Sequence, residues 1–167
     1  MRFIELQYED THGISTMSQM ATSIVREHFD PLIGKEQNDY MIARFQTESA
    51  IKGQMEHGCR YFFVQKDGRN IGFMAFYPKE SVMYLSKFYL YKKERGKGYA
   101  HQMLDFVIDE SARTGMNAIE LNVNKHNSAC QVYDRLGFRI IRSEKNDIGN
   151  GFFMDDYVYR FDIQNSV

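Results

Sequence analysis

The spacing of apolar residues changes several times along the 167-residue chain, and each change marks an element. Residues 2–6, RFIEL, alternate at period two and predict an opening strand. Residues 11–29 carry apolar positions at helical spacing, and the DPLIG stretch breaks the pattern because Pro31 disfavours a helical Asp30. Residues 34–45 predict a second helix. Thr47 caps a third, which ends before Gly58. Two apolar runs, residues 61–65 and 70–77, flank KDGR and predict a hairpin on the Asp67-Gly68 signal.

Residues 81–91 are almost continuously apolar and aromatic, as an interior strand requires. Beyond a glycine-rich turn, Ala100, Met103, Leu104, Val107, Ile108 and Ala112 recur at three- and four-residue steps, a helix packed on a sheet and ended by Gly115. Residues 117–123 predict a strand with Ile119, Leu121 and Val123 on one face. NSACQVYDRLG predicts a short helix with Ala129, Val132 and Leu136 inward. Residues 138–143 and 151–161 predict two closing strands joined by the polar loop EKNDIGN. The strand, helix, strand passage over residues 81–123 demands a parallel pair with a right-handed crossover. The class is α/β with a mixed sheet, in a single domain spanning residues 1–167.

Composition narrows the function. A formal charge of −1 gives no broad pull toward nucleic acid or an anionic membrane, and the chain has no long apolar run or export signal. Its two cysteines, Cys59 and Cys130, match no metal or disulfide spacing, which fits a reducing cytoplasm and no metal centre. His101 and His126 have no partners at ligand spacing.

The candidate chemistry sits at residues 95–100, RGKGYA, between strand and helix. A helix N-terminus leaves about four backbone N–H groups without partners and carries about half a positive charge. Gly96 and Gly98 remove the β-carbons that would keep a ligand from those donors, and Arg95 and Lys97 add charge. An ordinary strand-to-helix turn remains the competing reading. A nucleotide phosphate loop needs a longer glycine spacing followed by Lys and Ser or Thr. A dinucleotide fingerprint needs a third glycine where His101 stands.

R-x-x-G-x-A at Arg95, Gly98 and Ala100 resembles the acetyl-coenzyme A pyrophosphate motif of the GNAT N-acetyltransferases. A second block, IELNVNKHNSACQVYDRLGFR, is similar to the family's later motif, with Asn127, Ala129, Tyr133, Gly137 and Phe138 at the family's spacings. The resemblance implies a mostly antiparallel, twisted sheet with a splayed central parallel pair and flanking helices. It implies acetyl-CoA as co-substrate, with the backbone of Phe88, Tyr89 and Leu90 pairing with the pantetheine amides as an added strand would. The N–H groups of Arg95, Gly96, Lys97, Gly98, Tyr99 and Ala100 would take the pyrophosphate. Asn127, with Ala129 at the start of the later helix, would bind the cofactor or hold its loop. Lys92, Lys93 and Lys125 read as a solvated face, with the 3′-phosphate as an alternative neighbour.

Tyr133 is then the expected general acid for the leaving thiolate, with an amphipathic boundary residue as the competing reading. Some family members carry a glutamate on the strand before the turn. That position here is Tyr84, so Glu120 is the candidate base, directly or through water, against a purely structural ion pair. The stretch HFDPLIGKEQNDYMIARFQ resembles bacterial polyamine-type acetyltransferases. Glu27, Asp30, Glu36, Asp39, Asp147, Asp155 and Asp156 would favour a small cationic amine there. A protein-acetylating enzyme and a non-catalytic coenzyme A sensor are the rival readings. The apolar run FFMDDYVYRF would need cover at a sheet edge, and a homodimer would supply it.

Overall fold

Proline does not stop the first helix. After strand β1 (Arg2–Glu5), helix α1 (Thr11–Ile33) runs through Pro31 to its end. Pro31 lacks the N–H that would bond back to residue 27, but it stands in the final turn, where only one such rung is lost. The Gly34 N–H closes the helix on the Asp30 carbonyl at 3.1 Å. At the other end the Asp10 carboxylate accepts from the Gly13 N–H at 2.9 Å.

The computed structural model describes residues 1–163, and the chain forms two units. One holds Met1–Tyr77 and Lys87–Tyr99; the other holds Pro78–Ser86 and the chain from Ala100 onward. The first unit contains β1, α1, α2 (Lys35–Phe45), α3 (Glu48–Glu56), β2 (Arg60–Lys66) and most of β3 (Arg69–Lys79). Strand β4 (Val82–Leu90) is divided between the two. The second unit continues with α4 (Tyr99–Arg113), β5 (Ala118–Asn124), α5 (Ala129–Leu136), β6 (Arg139–Gly149) and β7 (Phe152–Asp162). The strands follow the order β1-β2-β3-β4-β5-β7-β6 in one seven-stranded sheet. Its parallel pair is β4 and β5, matched at Val82↔Ala118, Met83↔Ile119 and Tyr84↔Glu120. That ladder covers three residue pairs of a nine-residue and a seven-residue strand.

In the first unit, Ile14, Met17, Ala21 and Ile24 of α1 supply one buried stripe at three- and four-residue steps. They share a core with Tyr61 and Phe63 of β2 and with Phe73 and Ala75 of β3. Register explains this grouping, since Tyr61 stands opposite Ala75 and Phe63 opposite Phe73. Facing residues of paired strands project to the same side. The alternate residues Phe62 and Phe76 stack on each other at 5.2 Å. The hairpin is therefore buried on both sides.

Three sequence expectations change in the second unit. The polar stretch EKNDIGN is strand rather than loop, because β6 pairs with β7 as far as Gly149↔Phe152. Only Asn150 and Gly151 turn, with φ of 53° and 79°, the two left-handed positions of a tight hairpin turn. Strand β7 lies between β5 and β6, so its backbone is paired along both sides and the apolar run is not a sheet edge. On α5 the buried positions are Tyr133 and Leu136, whereas Val132 is 38% exposed.

Gly72 lets the backbone of β3 approach the second half of β4. A β-carbon built there would lie 2.2 Å from the Tyr89 carbonyl oxygen and 3.0 Å from Leu90 Cα. Gly72→Ala should cost about 2–3 kcal/mol of stability in urea unfolding. Gly53→Ala, in α3 with open space around it, should instead gain about 0.5–1 kcal/mol.

Candidate active site

The first unit carries the turn. A short 3-10 segment, Lys92–Glu94, precedes it, and the Arg95 N–H is spent on the Lys92 carbonyl at 3.2 Å. Arg95 therefore offers no free backbone donor. The N–H groups of Gly96, Lys97 and Gly98 make no hydrogen bond among the described residues. Those of Tyr99 and Ala100 open α4 and precede its first internal bond. Gly96 and Gly98 have φ of 75° and 82°, and a β-carbon at either would meet nothing within 4 Å. Successive amides in such a bend form an anion-binding concavity, and the start of a 15-residue helix adds its dipole. An anionic diphosphate fits this arrangement.

The charged side chains behave differently from the sequence expectation. The Arg95 guanidinium folds back onto the Leu90 carbonyl at 3.2 Å and faces His28 Nδ1 at 3.3 Å. Lys97 Nζ lies 3.3 Å from the Glu94 carboxylate, which also takes Arg69 at 3.5 Å. Glu94 is only 5% exposed. Desolvation works against its charge, but Lys97 and Arg69 outweigh that and hold the carboxyl below the usual range. The spacing from Glu94 to Lys97 was the only sequence signal for this anchor. Just upstream, the Tyr89 ring packs on Phe73 at 5.4 Å and Phe29 at 6.2 Å. Phe88, Tyr89 and Leu90 are half-buried.

In the second unit, the Asn127 side chain accepts from the Ala129 N–H at 2.9 Å. Asn127 thus holds the entry to α5, and Ala129 has no spare backbone donor. Tyr133 is 8% exposed, its ring set edge-on to Phe138 at 5.5 Å and beside Tyr159 at 5.9 Å. Glu120 faces Arg160 across the β5–β7 ladder and accepts from its guanidinium at 2.8 Å. The sequence expectation of a base meets a cross-strand ion pair here. A polar network shares this face with Glu120: the Tyr84 hydroxyl donates to Asn122 Oδ1 at 2.9 Å, and Asn122 Nδ2 reaches Glu144 at 3.2 Å and Asp156 at 3.4 Å.

A family model for the acetyltransferase (GNAT) domain matches residues 29–155. The chain belongs to the GNAT acetyltransferase family. No curated protein matches this acetyltransferase. Among solved structures it is similar to the PaiA N-acetyltransferase of Thermoplasma acidophilum in complex with coenzyme A, at 17% identity and a TM-score of 0.77 over 96% of this chain and 98% of that one. An aminoglycoside 6′-N-acetyltransferase complexed with coenzyme A is similar at 14% identity and TM-score 0.68, over 100% and 99% of the chains. The ribosomal-protein-S18-alanine N-acetyltransferase of Escherichia coli is similar at 16% identity and TM-score 0.68, over 99% and 96%. These likenesses establish the fold. Among the described residues there is no group of three His, Cys, Asp or Glu placed to hold a metal, and no helix long and apolar enough to cross a membrane.

Lys87, which sequence reasoning passed over, is 6% exposed beside the half of β4 that leads to the turn. Its ammonium donates to the Phe45 carbonyl and Gln46 Oε1, each at 2.9 Å, and to the Tyr61 hydroxyl. Burial pushes its pKa from 10.5 down to about 7, with Cys59 opposing weakly. Between those two values the unfolded chain binds the extra proton, so stability rises with pH across that window. Urea unfolding should show a rise on the order of 1–3 kcal/mol between neutral pH and the upper end of the window. Lys87→Met should flatten it.

Proposed function

We propose that this GNAT acetyltransferase moves an acetyl group from acetyl-CoA to a primary amine by direct attack while both substrates are bound. The observation that carries the reading is the turn after β4. The unspent N–H groups of Gly96, Lys97 and Gly98 continue into the first amides of α4, with open space where side chains would stand. They are suited to hold a diphosphate. Acetyl-CoA supplies the reactive thioester. The backbone of Phe88, Tyr89 and Leu90 would pair with the pantetheine amides, and Asn127 would keep the α5 entry in shape. Tyr133 would hold the proton that the leaving sulfur takes up.

The acceptor is a small cationic amine of polyamine type. Its support is the clustering of Glu144, Asp155 and Asp156 on the closing strands, which Arg142 at Glu144 and Lys125 at Asp155 offset in part. Within α1 and α2 the carboxylates speak less clearly for such a substrate. Asp39 is tied to Arg26 at 2.6 Å and to Lys35 at 2.7 Å, and Asp30 accepts from Asn38 at 2.6 Å. The known acceptors of the similar structures differ, one an aminoglycoside and one a ribosomal-protein alanine. Cys59 and Cys130 are both in the thiol form, which supports a cytoplasmic setting.

Calorimetry with acetyl-CoA, followed by free-thiol detection with polyamines, aminoglycosides, amino acids and peptides, tests reaction and acceptor together. Heat of binding and thiol release with a polyamine is the expected result. Release only with peptides would move the acceptor assignment to protein amines, and binding without any release would make the protein a coenzyme A sensor. Tyr133→Phe should lower kcat by about 10²-fold or more with unchanged acetyl-CoA affinity; a full rate would remove the acid role.

A further inference from the structure

One carboxylate oxygen on the closing strands has nothing to bind. Asp156 is 1% exposed, and its Oδ1 is fully buried with no hydrogen-bond partner among the described residues. Its second oxygen accepts at 3.4 Å from Asn122 Nδ2. A buried carboxylate is ordinarily paired with a cation or bonded by several donors. The nearest candidate cation, Lys125, is held on Asp155 at 3.1 Å instead. The fold thus keeps a strong acceptor in place and leaves half of it unused.

Its surroundings are ordered. Asp156 stands opposite Asn124 in the β5–β7 ladder, four residue pairs from Glu120–Arg160 and on the same side of the sheet. Tyr84 on β4 fixes Asn122 from one side, and Glu144 on β6 shares the same amide group from another. The groups that act on Asp156 are therefore Asn122 and Lys125 on or after β5, Glu144 on β6 and Asp155 on β7. Burial pushes its carboxyl above the ordinary range; the Asn122 hydrogen bond opposes this, Asp155 and Glu144 reinforce it, and Lys125 opposes it. Glu120 has no comparable freedom, since Arg160 occupies it at 2.8 Å.

We propose that Asp156 accepts the proton an acceptor ammonium must lose before it attacks, with Asn122 and Tyr84 as its positioning residues. This rests on the acetyl-transfer reading above. An N–H bond of the ammonium breaks and an O–H bond forms at Asp156 Oδ1, by way of one water. The freed lone pair makes the N–C bond to the acetyl carbon, and the C–S bond breaks with its electron pair on sulfur. Sulfur takes the Tyr133 proton, the remaining surplus N–H proton restores the phenol, and Asp156 returns its own proton to solvent. One amide, one thiol and one proton result.

The test measures kcat/KM against pH with three probe amines: spermidine, an aminoglycoside and an alanine-starting peptide. Acetyl-CoA affinity is followed by calorimetry. Asp156→Asn should lower kcat/KM at neutral pH by about 10²-fold or more and leave acetyl-CoA affinity unchanged. The base must be ionised, so wild-type activity falls as pH drops through its pKa. Asn122→Ala keeps Asp156 but removes the donor that favours its charge, so the acidic limb should move to higher pH by on the order of half to one unit. A merely structural role would leave that limb in place, and this second variant decides the matter if Asp156→Asn does not fold. Normal turnover and an unchanged profile in Asp156→Asn, or an unmoved limb in Asn122→Ala, overturns the assignment of the base alone. Wild-type protein that neither binds acetyl-CoA nor releases thiol with any probe overturns the acetyl-transfer reading itself, and this proposal with it.

Discussion

Glu94 governs the shape of the loop on which the rest of the site depends. Lys97 stands between the two glycines of the turn, and its ammonium is drawn back onto that buried carboxylate together with Arg69. Fixing the side chain of the middle residue constrains the peptide planes on both sides of it. Those planes carry the N–H groups that have no partner among the described residues. Glycine makes the left-handed backbone tolerable, but glycine alone would leave the turn many conformations. The ion pairs favour the conformation in which Lys97 reaches Glu94. The carboxylate stays ionised because two cations outweigh its loss of solvent.

Much of this was legible along the chain. Period-two runs marked β1 and the β2–β3 hairpin, and threefold and fourfold steps marked α1 and α4, because burial on one face imposes those spacings. The turn and its glycines were equally visible, since local backbone demands select local residues. What failed to show was decided by neighbours distant in sequence. Polar residues in EKNDIG look like a loop, yet an edge strand tolerates polar side chains on both faces, and the Asn150–Gly151 turn signal was the better guide. Pro31 looked like a stop because it disfavours a helical residue before it, yet Asp30 stays within α1 and the lost N–H falls in the last turn. The partner of Glu120 could not be read, because nothing local announces Arg160, 40 residues further on.

One buried polar group in each unit shows how differently such groups are accommodated. In the first, Lys87 is surrounded by a carbonyl, an amide oxygen and a hydroxyl, so a lone cation is solvated by the protein itself. In the second, Tyr84, Asn122, Glu144 and Asp156 form a network that ends in an oxygen with no donor. A satisfied network stiffens a core. A network with one open terminus lends itself to passing a proton onward.

The posture of Arg95 has one more consequence. With its guanidinium turned onto the Leu90 carbonyl, and Lys97 turned onto Glu94, the cradle at the head of α4 is made of peptide dipoles rather than mobile ammonium and guanidinium groups. Dissolved ions weaken attraction between exposed, separated charges far more than they weaken short bonds to oriented main-chain donors. Affinity for an anionic ligand at this spot should therefore change little with ionic strength, and the salt content of the surroundings becomes a minor influence on how full the site is.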